Sequence, residues 1–160
     1  MGGLNMNLRT VCFLCTGNYY RSRFAEGLFN HLARQRSLGW RARSRGLSVE
    51  LTGANNVGPI APQTLEAFRQ RSIPIPEPIP YPKAAAMEDF TCADLIIALK
   101  EGEHRALVRK QFPECEHRVN YWHVHDVDQT PACMALDEIE TLVRALLTSL
   151  ENPGPARPGG

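Results

Sequence analysis

A chain of 160 residues with 43% apolar side chains can bury one good core but is too short to divide comfortably into two. Its 18 basic and 17 acidic residues leave a formal charge of +1, so nothing in the total argues for nucleic acid or an anionic membrane as the main partner. No stretch approaches the roughly 20 apolar residues of a membrane span, the polar start has no basic region followed by a hydrophobic one, and the five cysteines (Cys12, Cys15, Cys92, Cys115, Cys133) are odd in number and scattered. A soluble, cytoplasmic chain with reduced thiols is expected, so at least one thiol is free for chemistry.

Residues 10–14, Thr-Val-Cys-Phe-Leu, form a short apolar run of the kind buried on both faces of a sheet, and the run stops at Cys15-Thr16-Gly17-Asn18. From Ser22 onward Phe24, Ala25, Leu28, Phe29, Leu32 and Ala33 recur at helical spacing, which predicts an amphipathic helix to about residue 35. Strand character returns over residues 42–51. A second helix is predicted over 62–71, with Pro62 in its first turn and Leu65, Ala67 and Phe68 inward. Five prolines between 73 and 82 forbid a helix or a central strand there and predict an extended surface loop.

A helical turn is expected at 84–90, a second buried strand at 93–99, and a helix through His104 and Leu107 with His104 on its surface. Residues 119–124 read as a last strand, 126–133 as a loop and 137–150 as a closing helix. One domain over 1–150 is expected, followed by a disordered Pro- and Gly-rich tail at 151–160. Strand and helix in alternation imply a parallel sheet with helices on both faces, an α/β fold whose ligands sit beyond the carboxyl ends of the strands.

The Cys15 loop lies at such a place. A cysteine ends a strand, glycine and asparagine occupy the loop, and Arg21 and Ser22 open a helix, so successive backbone N–H groups and the positive end of a helix dipole surround one small anion. A thiol in that field is a candidate nucleophile, because the field stabilises the thiolate, the reactive form. Arg21 offers two parallel donors to phosphate oxygens. Ser22 can hydrogen-bond the sulfur.

The run Cys15-Thr16-Gly17-Asn18-Tyr19-Tyr20-Arg21-Ser22, followed by Phe24-Ala25-Glu26, resembles the signature of the low-molecular-weight protein tyrosine phosphatase family. Ser44-Arg45-Gly46, the helix start at Ala61-Pro62-Gln63 and the segment from Asp89-Phe90 to Leu99 are similar to further parts of that family. The resemblance implies a Rossmann-like three-layer α/β fold with a parallel four-stranded sheet. It also implies phosphate monoester hydrolysis without cofactor or metal, through a cysteinyl-phosphate on Cys15, with Arg21 clamping phosphate. Thr16, Gly17, Asn18, Tyr19, Tyr20 and Ser22 would bind substrate, and Asn18, Ser22 and Ser44 would form a network that shapes the loop. An acid from a late loop should protonate the leaving oxygen; Asp126 holds the family's place and Asp128 is the alternative. Partners implied are a phosphorylated protein or a small phosphate ester, with no nucleic acid and no membrane, for a monomer or weak dimer.

The sequence departs from the family at several points. Tyr20 stands where a second loop cysteine is usual, Arg23 where a proline follows the serine, and Val127 where a proline follows the acid, and no tyrosine pair comes after it. Phosphotyrosine preference is therefore open, with Tyr19, Tyr20, Tyr121 and Trp122 as alternative rim aromatics. Cys12 and Cys15 have a redox-like spacing, but a strand puts them on opposite faces. Two other functions stay open: an arsenate reductase, which would need a cysteine pair near Cys92, and a binding module that keeps the loop without turnover.

Overall fold

The computed structural model describes residues 8–52, 56–124 and 132–152. Four parallel strands form one sheet in the order β2-β1-β3-β4. The central strand β1 (Arg9–Cys15) pairs with β2 (Trp40–Gly46) on one side and β3 (Leu95–Ala98) on the other, and β4 (Val119–Tyr121) lies beyond β3. Parallel neighbours require crossovers. Helix α1 (Arg21–Gln35) makes the first, from β1 to β2. After β2 come α2 (Val49–Thr52), α3 (Pro62–Gln70) and α4 (Met87–Cys92); α5 (Glu101–Gln111) links β3 through a 3-10 turn to β4, and α6 (Ala132–Glu151) follows.

The apolar run of β1 is explained by two cores. Val11, Phe13 and Cys15 face the larger one, filled by Phe24, Leu28 and Phe29 of α1, Phe68 of α3 and Ile139, Val143 and Leu147 of α6. Cys12 and Leu14 face the smaller one, with Phe90 of α4 and Val108 of α5. Period-two alternation thus keeps Cys12 and Cys15 apart. Burial pushes the Cys12 thiol up to about 12, so it stays protonated and belongs to the core.

Several boundaries differ from the sequence reading, each for a tertiary reason. The strand expected over 42–51 ends at Gly46, because Leu47 and Ser48 turn their N–H groups to the carbonyls of Cys15 and Thr16 (2.9 Å each) and follow the loop instead of the sheet. The turn expected at 84–90 is α4, Met87–Cys92. Its first turn is closed by Asp89, whose carboxylate accepts from the Ala86 N–H at 2.8 Å. Helix α6 begins at Ala132, inside the predicted loop, and runs through Glu151 into the predicted tail, where Glu151 pairs with Arg36 at 3.0 Å. The prolines of 73–82 do preclude helix and strand, but Ile73 is buried and Ile75 and Ile79 pack on the larger core. The segment is a strap over that core and not merely a surface loop. Residues 153–160 lie outside the described residues.

Candidate active site

The loop between β1 and α1 is shaped by its asparagine. Asn18 has φ 51°, a left-handed conformation that asparagine tolerates better than most residues, and the resulting turn aims its N–H at the Cys15 sulfur (3.2 Å). The Asn18 Nδ2 donates to Ser22 Oγ at 3.0 Å and to Ser44 Oγ at 2.9 Å. Ser22 Oγ lies 2.8 Å from Cys15 Sγ. Ser22 Oγ accepts from Asn18 and keeps its own hydrogen free to turn toward the sulfur. Ser44 repeats the pattern by donating to Glu26 Oε1 at 2.5 Å. Burial pushes the Glu26 carboxyl up, opposed by this hydrogen bond and by Arg23 and Arg45. The expected network of Asn18, Ser22 and Ser44 is therefore assembled, with Glu26 as a further member that the sequence alone does not flag.

Gly46 permits the approach of β2 to this loop. A Cβ there would stand 2.5 Å from Val49 Cγ2 and 2.9 Å from the Thr16 carbonyl oxygen.

Thr16 anchors the other side of the loop. Its hydroxyl donates to Glu103 Oε1, and it lies 3.2 Å from His104 Nε2. His104 Nδ1 accepts from the Lys100 N–H at 3.1 Å, so in the neutral ring Nε2 carries the proton. His104 is fully buried, which corrects its expected place on the helix surface: α5 turns it inward against the loop. Glu103 also stands 3.9 Å from Arg21, fixing the start of α1 toward the same region. The contact with His104, 3.6 Å away, chiefly pulls the Glu103 carboxyl down to about 2, against the opposing effect of burial, and burial itself pushes His104 down.

A group whose folded pKa is depressed contributes stability above its unfolded value and loses it as pH falls through the folded value. The Glu103 contribution is thus complete above about pH 4.5 and declines toward pH 2, and the His104 shift acts in the same direction from about pH 6.5 downward. Glu103→Gln is expected to flatten the stability profile between pH 4.5 and 2, measured by denaturant unfolding at a series of pH values. An unchanged slope would remove Glu103 from this account.

Arg23, at the position that departs from the family pattern, is 7% exposed. Its guanidinium donates to the carbonyls of Asn18 (3.4 Å), Pro59 (3.0 Å) and Pro80 (2.6 Å), tying the loop, the approach to α3 and the proline strap to α1. Sequence reasoning treats the substitution only as a loss of proline; its donor capacity was the available signal.

The aromatic residues do not gather as one rim. Tyr19 donates to the Val57 carbonyl at 2.6 Å, while Tyr20 and Trp122 pack on the larger core, Trp122 at 5.8 Å from Phe13. Tyr121 packs on the smaller core beneath Arg105, 4.3 Å away. Val124 is buried and donates to the Leu99 carbonyl at 3.1 Å, at the carboxyl edge of the sheet. Asp126 and Asp128, with His125, lie outside the described residues. Among the described residues no group of three His, Cys, Asp or Glu could hold a metal ion, and no helix is long and apolar enough to cross a membrane.

Comparison with known proteins agrees with this architecture. The family model described as low molecular weight phosphotyrosine protein phosphatase matches residues 10–154. Among curated proteins, the protein-arginine-phosphatase of Bacillus subtilis (strain 168) is 29% identical over 102 residues, 64% of this chain and 62% of that protein, so the match spans about three fifths of the relative. A crystal structure of a low molecular weight protein tyrosine phosphatase from T. tengcongensis superposes with a TM-score of 0.74 at 25% identity, covering 88% of this chain and 99% of that one. YfkJ from Bacillus subtilis shares the fold at a TM-score of 0.77 and 21% identity, covering 93% and 98%. With a parallel four-stranded sheet and a Cys15 loop built as described, the chain belongs to the low molecular weight phosphotyrosine protein phosphatase family.

Proposed function

We propose that this chain hydrolyses phosphate monoesters on protein side chains, phosphotyrosine first among them, through a cysteinyl-phosphate on Cys15. The observation that supports the reading is the contact of Ser22 Oγ with Cys15 Sγ at 2.8 Å, in a loop that opens into α1 and aims the Asn18 N–H at the same sulfur.

In this reading the Cys15 thiolate attacks phosphorus while the P–O bond to the leaving group breaks. Loop N–H groups and the Arg21 guanidinium hold the remaining phosphate oxygens, where charge gathers in the transition state. Asp126 protonates the departing oxygen. It then takes a proton from the water that attacks phosphorus, releasing inorganic phosphate and the thiolate, which Ser22 stabilises as it leaves. Asp128 is the alternative acid.

The protein-arginine-phosphatase relative supports a second substrate reading, phosphoarginine, in which a P–N bond is broken by the same nucleophile. The test is turnover of para-nitrophenyl phosphate, a phosphotyrosine peptide and a phosphoarginine peptide in reducing buffer with chelator. Cleavage of the phosphotyrosine peptide ahead of the phosphoarginine peptide is expected, and the reverse order selects the second reading. Bound phosphate without cleavage of any of the three replaces both with a binding module. Asp126→Ala is expected to slow phenyl phosphate by about 100- to 10,000-fold and para-nitrophenyl phosphate far less, because only the poorer leaving group needs the proton. If Asp128→Ala produces that pattern instead, Asp128 is the acid.

A further inference from the structure

Behind the Cys15 loop, on the side away from Glu103 and His104, the strap of residues 73–83 stands off α1 and leaves a cavity of about 410 Å³. Two sequence features keep it open. Prolines hold the strap extended and deny it N–H donors for a strand ladder, so it cannot close the gap by pairing. At Gly27 a Cβ would sit 2.4 Å from Phe68 Cζ, so glycine admits the tip of the Phe68 ring against the helix, where the ring lines the cavity.

The lining is divided by chemistry. Ile60, Phe68, Ile73 and Ile75 give an apolar wall, while α1 contributes Asn30, His31 and Arg34. Among the described residues lining it, four cations (Arg23, Arg34, Arg45, Lys83) face one acid, Glu26. Two of the cations are engaged elsewhere: Arg23 on the carbonyls of Pro59 and Pro80, and Arg45 with Asp89 at 3.2 Å. Arg34 and Lys83 are the exposed ones. A space in the size range of small-molecule sites, apolar on one side and cationic where it meets solvent, matches a ligand with a hydrocarbon body and one negative head.

We infer that this cavity is a second binding site, for a small amphipathic carboxylate whose hydrocarbon body lies against Phe68, Ile73 and Ile75 and whose head meets Arg34 and Lys83. The site is joined to the Cys15 loop through the strap itself. The Lys83 N–H donates to Asn18 Oδ1 at 2.8 Å, and Asn18 Nδ2 orients Ser22, so an occupant that shifts or braces the strap acts on the contact with the sulfur. Binding as such does not depend on turnover, so failure here and failure of the proposed hydrolysis are separate results.

The test is a titration of the isotope-labelled full chain with decanoate, followed by amide chemical shifts, with and without excess inorganic phosphate. Saturable shifts at Ile75 and Lys83 that persist in phosphate are expected. Ile75→Trp, which fills the cavity from the strap side, should abolish them. Lys83→Glu, at an exposed side chain that leaves the backbone donor in place, should weaken binding at least about tenfold. The absence of saturable shifts below the micelle threshold overturns the inference. So do shifts confined to residues 15–22 that phosphate removes, which would make decanoate only an anion in the loop, and so does unaltered binding by both variants.

Discussion

Cys15→Ser is expected to lower turnover of an aryl phosphate by at least about 10,000-fold while leaving phosphate binding and stability close to those of the unaltered chain. A hydroxyl at this position can still accept from the Asn18 N–H and meet Ser22, whose contacts with the sulfur are 3.2 and 2.8 Å. A hydroxyl is a far weaker nucleophile than a thiol, so the proposed nucleophile is lost while the loop donors are kept. Single-turnover assays with para-nitrophenyl phosphate, beside phosphate binding by calorimetry, separate the two. Residual turnover within tenfold of the unaltered chain would place the nucleophile elsewhere.

Arg21→Ala should remove both properties. The guanidinium supplies the only full positive charge proposed to contact the transferring phosphoryl group, and an arginine in that role is worth about 1,000- to 100,000-fold. Its side chain is 11% exposed and stands 3.9 Å from Glu103. Partial burial holds it in a narrow range of positions, and the carboxylate directs it back toward the loop. Arg21→Lys should recover part of the affinity for phosphate but little of the rate, since an ammonium keeps the charge without the two parallel donors. If kcat/KM for Arg21→Ala falls less than tenfold, phosphate is held by the loop N–H groups alone.

Much of the site was legible because it is local. A strand, a tight loop and a helix in immediate succession bring Cys15, Asn18, Arg21 and Ser22 together within eight residues, and the roles proposed for them rest on backbone donors and side-chain chemistry. The supporting shell was not legible in the same way. His104 reads as a surface residue from the periodicity of α5, yet it is fully buried, because the carboxyl end of β3 delivers the start of α5 to Thr16. Glu26, Glu103 and Arg23 gain their meaning from partners far away in the chain: Ser44, Thr16 and the Pro59 and Pro80 carbonyls.

The sequence by itself determined the alternation of strand and helix, the doubly buried character of β1 and the composition of the Cys15 loop, since each depends on residues within a few positions of one another. Tertiary structure alone decided where β2 ends and that the proline segment straps the larger core. It likewise decided which carboxylates stand behind the loop. The physical reason is that hydrophobic periodicity records which face of an element is buried but not against what. Hydrogen bonds across the sheet edge, such as Lys83 N–H to Asn18 Oδ1 over 65 positions, leave no periodic trace in the chain.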